Sequence, residues 1–339
     1  MKKFNSKAII VLGLYAAFGS GSATAGLQAF ELENTEQPQC GYKDDRGKVI
    51  VPAKYYSCGG FSEGMARVAV MKMGMVKGYD GGEDYEDYLY WQGYINEAGK
   101  LVIPIEHEAP VSNGIFIDYR DFHEGVVAVY KDGQYGYLNK TGKLTVPYAY
   151  QSAGDFNEGI AVASKNKKYG VIDKTGKTIV PFKFNWLDDY SEGLAKYKIF
   201  TLNDEDGKIG FVDISGKPVI AAKWDEAMEF SEGLSAVKVG DYNNGKWGVI
   251  DKIGKVIVPP KYDMAYIEPM GDAEDVDGGR YENGKLDVYN LNTKDSNADY
   301  NGYDSITRYT LDRQGKVISQ KTYKDWEEID QERYPQNYQ

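Results

Sequence analysis

Histidine and cysteine are nearly absent from this chain: 339 residues hold two of each. The two histidines, His107 and His123, leave little material for an imidazole base or a histidine-built metal centre, because structural zinc takes four ligands and catalytic zinc three. Glu106 or Glu124 would have to complete such a site, and no ligand spacing supports it. A serine triad would have to recruit one of these histidines, and neither has a nucleophile elbow nearby. The two cysteines, Cys40 and Cys58, are too far apart for a Cys-x-x-Cys redox motif. Positive charge is also scarce, with 40 Lys and Arg against 51 Asp and Glu and a net charge of −11. Phosphate backbones and anionic headgroups require clustered cations, so nucleic acid is not an expected partner. Past residue 25 there is no long apolar run, hence no expected membrane span. No cofactor motif is present.

The amino terminus has a different character. Lys2, Lys3 and Lys7 precede an apolar stretch from Ala8 to Phe18, and small residues lead to Ala23-Thr24-Ala25. This is the layout of a secretory signal peptide over residues 1–25, with cleavage expected between Ala25 and Gly26. A dozen apolar residues fall short of the roughly 20 that a spanning helix needs. No cysteine stands at the cleavage point to carry a lipid. The expectation is an exported protein, periplasmic or at the cell surface, with charge −14 once the three leader lysines are gone.

What the rest of the chain has in abundance is glycine, 39 residues, and tyrosine, 29. The glycines are periodic. Gly41, Gly93, Gly136, Gly170, Gly210 and Gly248 are each followed six residues later by Gly47, Gly99, Gly142, Gly176, Gly216 and Gly254. Seventeen residues further on comes Gly64, Gly159, Gly193 or Gly233, in "FSEG" or a variant, with Gly125 displaced by an insertion. Constant spacing within a unit and variable spacing between units mark a stacked supersecondary module. "GVIDKTGKTIV" is two β-branched runs around Asp-Lys-Thr-Gly, a hairpin whose turn glycine takes a left-handed conformation. A proline follows in five units (Pro52, Pro104, Pro147, Pro181, Pro259) and is expected to end the second strand. An aromatic (Phe61, Phe122, Phe156, Tyr190, Phe230), a Glu-Gly turn and a third strand complete the unit. The lysine after each turn glycine (Lys48 to Lys255) and the glutamate of each Glu-Gly turn (Glu63, Glu124, Glu158, Glu192, Glu232) recur throughout. They are expected to solubilise turns and satisfy turn backbone groups rather than hold a ligand.

The phrases "GKWGVIDKIGKVIVPPKYD" (245–263) and "FSEGLSAVKVG" (230–240) resemble the WG-repeat, or KWG-repeat, family of bacterial proteins. Only Trp247 supplies the literal Trp before Gly; the equivalent residues are Cys40, Gln92, Tyr135, Tyr169 and Ile209. The resemblance implies a β-rich repeat scaffold, commonly exported, with no shared catalytic residues. Cys40 stands in that column of large residues. Cys58 stands in a column otherwise held by Ala153, Leu187, Ala227 and Ala265. A large column facing a small one in the core leads to an expected Cys40–Cys58 disulfide, favoured by an oxidising compartment.

The fold expected is all-β: tandem three-stranded antiparallel repeat units forming an open twisted array, with a closed six- or seven-bladed propeller-like ring as the alternative. The map reads signal peptide 1–25, linker 26–39, six repeats over 40–265 with insertions at 71–90 and 105–122, a degenerate repeat and terminal hairpin over 266–323, and a polar tail or cap over 324–339. The first insertion gathers Asp80, Glu83, Asp84, Glu86 and Asp87, oxygen ligands in search of calcium but in no recognised loop spacing. Catalytic, cofactor and metal residues are expected to be none. The leading functional reading is a non-enzymatic scaffold for protein or peptide partners in the cell envelope. The alternative is a binder of cell-wall glycan through its aromatics, and a hydrolase without a recognisable motif comes third.

Overall fold

The computed structural model describes residues 26–33, 35, 37–76, 83–112, 116–117, 119–201, 204–241, 244–267, 277–292 and 303–333. The glycine hairpin recurs seven times, at Gly47, Gly99, Gly142, Gly176, Gly216, Gly254 and Gly315. Each turn is closed by the same chemistry. In the fourth, the Asp173 carboxylate accepts the backbone N–H groups of Thr175 and Lys177, while Gly176 N–H donates to Asp173 O. Asp44, Asn96, Asn139, Asp213, Asp251 and Asp312 repeat the pattern, a side-chain cap on an otherwise unsatisfied turn.

The first glycine of each unit answers to a different demand. Tyr135 pairs with Tyr150 and Tyr137 with Val146, so two extra residues bulge from the outer strand opposite Gly136. A Cβ on Gly136 would stand 2.7 Å from Val146 O and 3.0 Å from Tyr148 N. The last hairpin is an internal control: Tyr309 occupies the glycine column, the proline is missing, and Arg308, Tyr309 and Thr310 pair with Lys321, Gln320 and Ser319 without a bulge. Glycine and bulge thus occur together or not at all, whereas the proline is dispensable: Ala221 stands in its column opposite Gly210, and the bulge remains. Proline does not end the strand, contrary to the expectation. The strands Val49–Tyr55 and Leu144–Tyr150 run through it, because the bulge leaves an exposed position that needs no N–H donor.

Three consecutive repeats have one more strand than the sequence shows. The sheets over 152–184, 187–224 and 226–262 are four-stranded antiparallel meanders whose first strand can be as short as Ser152–Ala153 or Glu226–Ala227. Two residues carry no readable alternation, so these strands hide in the excursion before the aromatic. The segment 26–39 is not a plain linker: Gln28–Glu31 pairs with Cys40–Lys43 and gives the first sheet its third strand. Beyond residue 266 the array continues as a further unit, with Lys285–Asn292, Ser305–Asp312 and Val317–Tyr323 as its sheet. Tyr281-Glu282-Asn283-Gly284 is its aromatic and turn, with Asn283 and Gly284 both left-handed like Glu63 and Gly64. The tail forms a helix, Trp326–Arg333, that buries Ile329 against Tyr289, Ile306 and Tyr323. Its N-terminus carries a capping box, Glu328 N–H to Asp325 and Lys324 N–H to the Glu328 carboxylate.

Neighbouring sheets join by one recurring contact. The space beside each turn glycine is filled by a β-branched residue of the preceding hairpin: Val51 at Gly99, Ile103 at Gly142, Val146 at Gly176 and Val180 at Gly216. Ile220 at Gly254 and Val258 at Gly315 complete the series. All six of these side chains are buried, each worth about 1.5–3 kcal/mol of transfer free energy. The aromatic before the Glu-Gly turn plugs the same seam edge-to-face, as Tyr94 on Phe122 (5.1 Å) and Phe211 on Phe230 (4.8 Å). At the two ends the contact stops. Among the described residues nothing lies within 4 Å of a Cβ built on Gly47, and the last hairpin has exposed Ser319 where the others have Val or Ile. Among the described residues, the contact that joins every consecutive pair does not join last to first.

Candidate interaction surface

The recurrent charges prove structural in a specific way. The Glu63 carboxylate accepts the N–H groups of Glu124 and Gly125 in the next unit's turn, and Lys140 Nζ pairs with it at 3.1 Å. Glu124 repeats this with Gly159 N–H and Lys174, Glu192 with Gly233 N–H and Lys252, and Glu232 takes Gly284 N–H. Burial pushes Glu63 and Glu192 upward, but the lysine and the donated backbone N–H groups outweigh it and hold both below the usual carboxylate range. Glu124 is lowered chiefly by Lys174. Glu158 has no lysine, because Ile214 fills that column. The ladder ends at Asn283, where no further turn needs a carboxylate. The side chains of the lysines after each turn glycine are exposed, and their backbone N–H groups serve the turn caps.

A second row escaped the sequence reading although its signal was there: the residue before the aromatic is Asp121, Asp155, Asp189 and Glu229 in four consecutive units. Arg67 stands 4.0 Å from Asp121, Arg120 4.0 Å from Asp155 and Arg280 3.2 Å from Glu229. Arg67 also covers the Tyr119 ring at 3.9 Å. Asp189 is open to solvent on one side and crowded by protein on the other. That crowding, with Asp188, Asp155 and Glu229 adding like charge, pushes it up to about 6.

The histidines do not meet in one site. His107 is buried, paired across the strand with Gln92 and 3.4 Å from the Tyr148 hydroxyl, and burial lowers its basicity. His123 instead faces Asp155 at 3.4 Å. Among the described residues no three His, Cys, Asp or Glu side chains gather as a metal site. Ala25 and Asp80 lie outside the described residues. Glu86 and Asp87 are neighbours on a strand and point to opposite faces, so they do not converge on one ion. Cys40 and Cys58 form a disulfide with Cα atoms 6.0 Å apart, joining the first sheet to the second.

The two insertions do come together. They lengthen Met65–Val76, Tyr85–Asn96 and Leu101–Ala109, three adjacent strands of one seven-stranded sheet. The lengthened hairpin exposes Met73, Met75, Tyr85 and Tyr88. At its foot is a cleft of about 320 Å³ lined by Gln39, Lys54, Tyr55, Tyr56, Val70 and Met71 among others. Elsewhere the exposed apolar residues are mostly aliphatic, and many sit just after the turn glycines, among them Val49, Leu101, Leu144, Val219, Val256 and Val317. The tryptophans Trp224 and Trp247 and most recurrent aromatics are core.

The sequence profile described as WG containing repeat matches residues 41–70, 135–169, 169–199, 209–242 and 247–267, in register with the hairpins above. The repeat region belongs to the WG-repeat family. The matches skip residues 71–134, which hold both insertions. No curated protein matches the chain. Among solved structures it is similar to a eukaryotic initiation factor (10% identity, 91% of this chain and 90% of that one, TM-score 0.36). It is also similar to Hsv2 of Kluyveromyces lactis (12% identity, 78% and 76%, TM-score 0.35). Likenesses this low carry no argument, and the WG-repeat assignment stands on the sequence columns and the hairpin geometry.

Proposed function

We propose that this WG-repeat protein is an exported, non-enzymatic scaffold that binds protein or peptide partners in the cell envelope. The observation that carries the reading is the make-up of the exposed apolar surface. Among the described residues it consists of aliphatic side chains and methionines, with Tyr85, Tyr88 and Phe200 as its aromatics. A glycan binder that stacks sugar faces needs a row of exposed rings, whereas mixed apolar patches suit polypeptide partners. Three further features support the reading. The recurrent columns are occupied with folding, which leaves the insertions free to vary. The leader-like segment 1–25 and the Cys40–Cys58 disulfide suit an oxidising compartment outside the cytoplasm. No helix among the described residues is long and apolar enough to cross a membrane. The test is affinity capture with the chain from Gly26 onward, against envelope extract and purified peptidoglycan in parallel. A specific protein partner is expected. Retention on peptidoglycan with no protein captured would replace this reading by the glycan one.

A further inference from the structure

The lengthened hairpin has twice the reach of its equivalents. Met65–Val76 and Tyr85–Asn96 are 12 residues each and pair from Met65↔Asn96 to Val76↔Tyr85, whereas Val126–Lys131 and Gln134–Asn139 are 6 each. Its flanking strands stop early. On one side the last bond is Tyr56 N–H to Ala69 O; on the other the last pair is Tyr90↔Ala109. Beyond those points, among the described residues, both edges of the ribbon are unpaired. A lone two-stranded ribbon is marginal in water, and an unpaired edge is a template for another strand.

One of these edges has what a partner strand needs. Ala69 directs its carbonyl toward Tyr56, so by alternation Met71, Met73 and Met75 direct their N–H and C=O groups to the same, open side. Their side chains share a face with Tyr90 and Tyr88, the cross-strand partners of Met71 and Met73. Met73 and Met75 are 55% and 60% exposed, and thioethers adapt to varied apolar shapes. The edge starts at the cleft: Met71 and Tyr56 line it, and the Tyr56 ring meets Tyr90 at 5.4 Å, so cleft and methionine face are continuous. Charge selects the occupant. Glu86 and Asp87 on the ribbon and Glu83 and Asp84 just before it are exposed, against Lys72 on the ribbon and Lys54 at the cleft, four negative charges to two positive among these residues.

We propose that the open edge Met71–Val76 captures an extended polypeptide segment by strand addition, and that the segment alternates basic with apolar side chains. Main-chain bonds to Met71, Met73 and Met75 supply its affinity, the methionine–tyrosine face and cleft take its apolar side chains, and the ribbon carboxylates attract its cations. The proposal rests on the scaffold reading above and gives it a site and a partner chemistry.

The test uses the chain from Gly26 to Gln339 and a fluorescent heptapeptide alternating Lys and Val, read by anisotropy. The expected result is saturable binding, weakened at least tenfold for the peptide with Glu in place of Lys and abolished when every backbone amide is N-methylated. The double variant Met73→Lys with Met75→Lys, at positions exposed enough to leave folding intact by circular dichroism, is expected to lose binding tenfold or more. Absence of binding, equal binding of the N-methylated peptide, or indifference to the double variant would overturn the proposal. Envelope capture with wild type and double variant separates the two levels. A partner held equally by both leaves the scaffold reading standing without this site, and capture by neither removes the scaffold reading itself.

Discussion

Replacing Gly136 by Ala isolates the bulge from every other use of glycine. Gly136 does not have a left-handed φ, so alanine meets no backbone strain there, and the whole effect comes from the added methyl. That methyl would sit 2.7 Å from Val146 O, closer than real Cβ atoms come, and a tight 3.0 Å from Tyr148 N, and both opposing atoms are backbone. The two strands must part by several tenths of an ångström beside the buried pair Tyr137 and Val146. Overpacking of this kind costs about 1–3 kcal/mol, and yielding backbone places it at the upper end. Gly142→Ala in the same hairpin differs in kind: its φ of 80° charges a left-handed penalty of about 1–2 kcal/mol, while the nearest side chain, Ile103, is a relaxed 3.5 Å away. Gly60→Ala meets nothing within 4 Å and has no left-handed φ, so it is expected to change stability by less than about 0.5 kcal/mol. Urea titration followed by circular dichroism should therefore rank the midpoints Gly60→Ala, Gly142→Ala, Gly136→Ala from highest to lowest. Equal midpoints for Gly136→Ala and Gly60→Ala would refute the claim that backbone approach fixes this column.

Three other outcomes follow from the geometry. Asp189 is pushed up to about 6, a folded value above the unfolded one, so its ionisation costs nothing below about pH 4 and destabilises increasingly as pH rises through 6. The unscreened ceiling is about 3 kcal/mol, and solvent access reduces it to about 1 kcal/mol; Asp189→Asn should raise the melting temperature at pH 8 and leave it unchanged near pH 3.5, and equal gains at both would contradict the cause assigned. Ile214→Lys restores a cation to Glu158 and should stabilise by roughly 0.5 kcal/mol, a gain that the further substitution Glu158→Gln must erase. Replacing Cys40 and Cys58 by Ala removes a link across 18 residues worth about 3 kcal/mol, so amide exchange in Cys40–Lys43 should quicken roughly a hundredfold while Lys246–Asp251, in the distant sheet over 226–262, is unaffected.

How much of this was legible in the sequence depended on how many residues carried each signal. The hairpins were plain because Asp, Gly and Lys recur at fixed intervals and each has a turn duty. The fourth strand was not, since Ser152–Ala153 is too short for any pattern. The final unit read only as a degenerate repeat and terminal hairpin because two of its markers are substituted, Asn283 for Glu and Tyr309 for Gly, and the bulge is absent with the glycine. The acid row from Asp121 to Glu229 was visible as a column but stood one place outside the motif that drew attention. The insertions at 71–90 and 105–122 read as separate loops because pairing such as Tyr90↔Ala109 spans residues that no local pattern relates.

The account stands on sheets that stack in chain order and leave the ends unjoined. Arg46, Ile253 and Gln314 occupy one column, each just before a turn glycine and each exposed. Spin labels at cysteines placed there, in pairs 253/314 and 46/314, would report the spacing of consecutive turns and of the two terminal ones by pulsed dipolar spectroscopy. A 46/314 distance clearly longer than the 253/314 distance is predicted; equal distances would show a closed ring and contradict the open array.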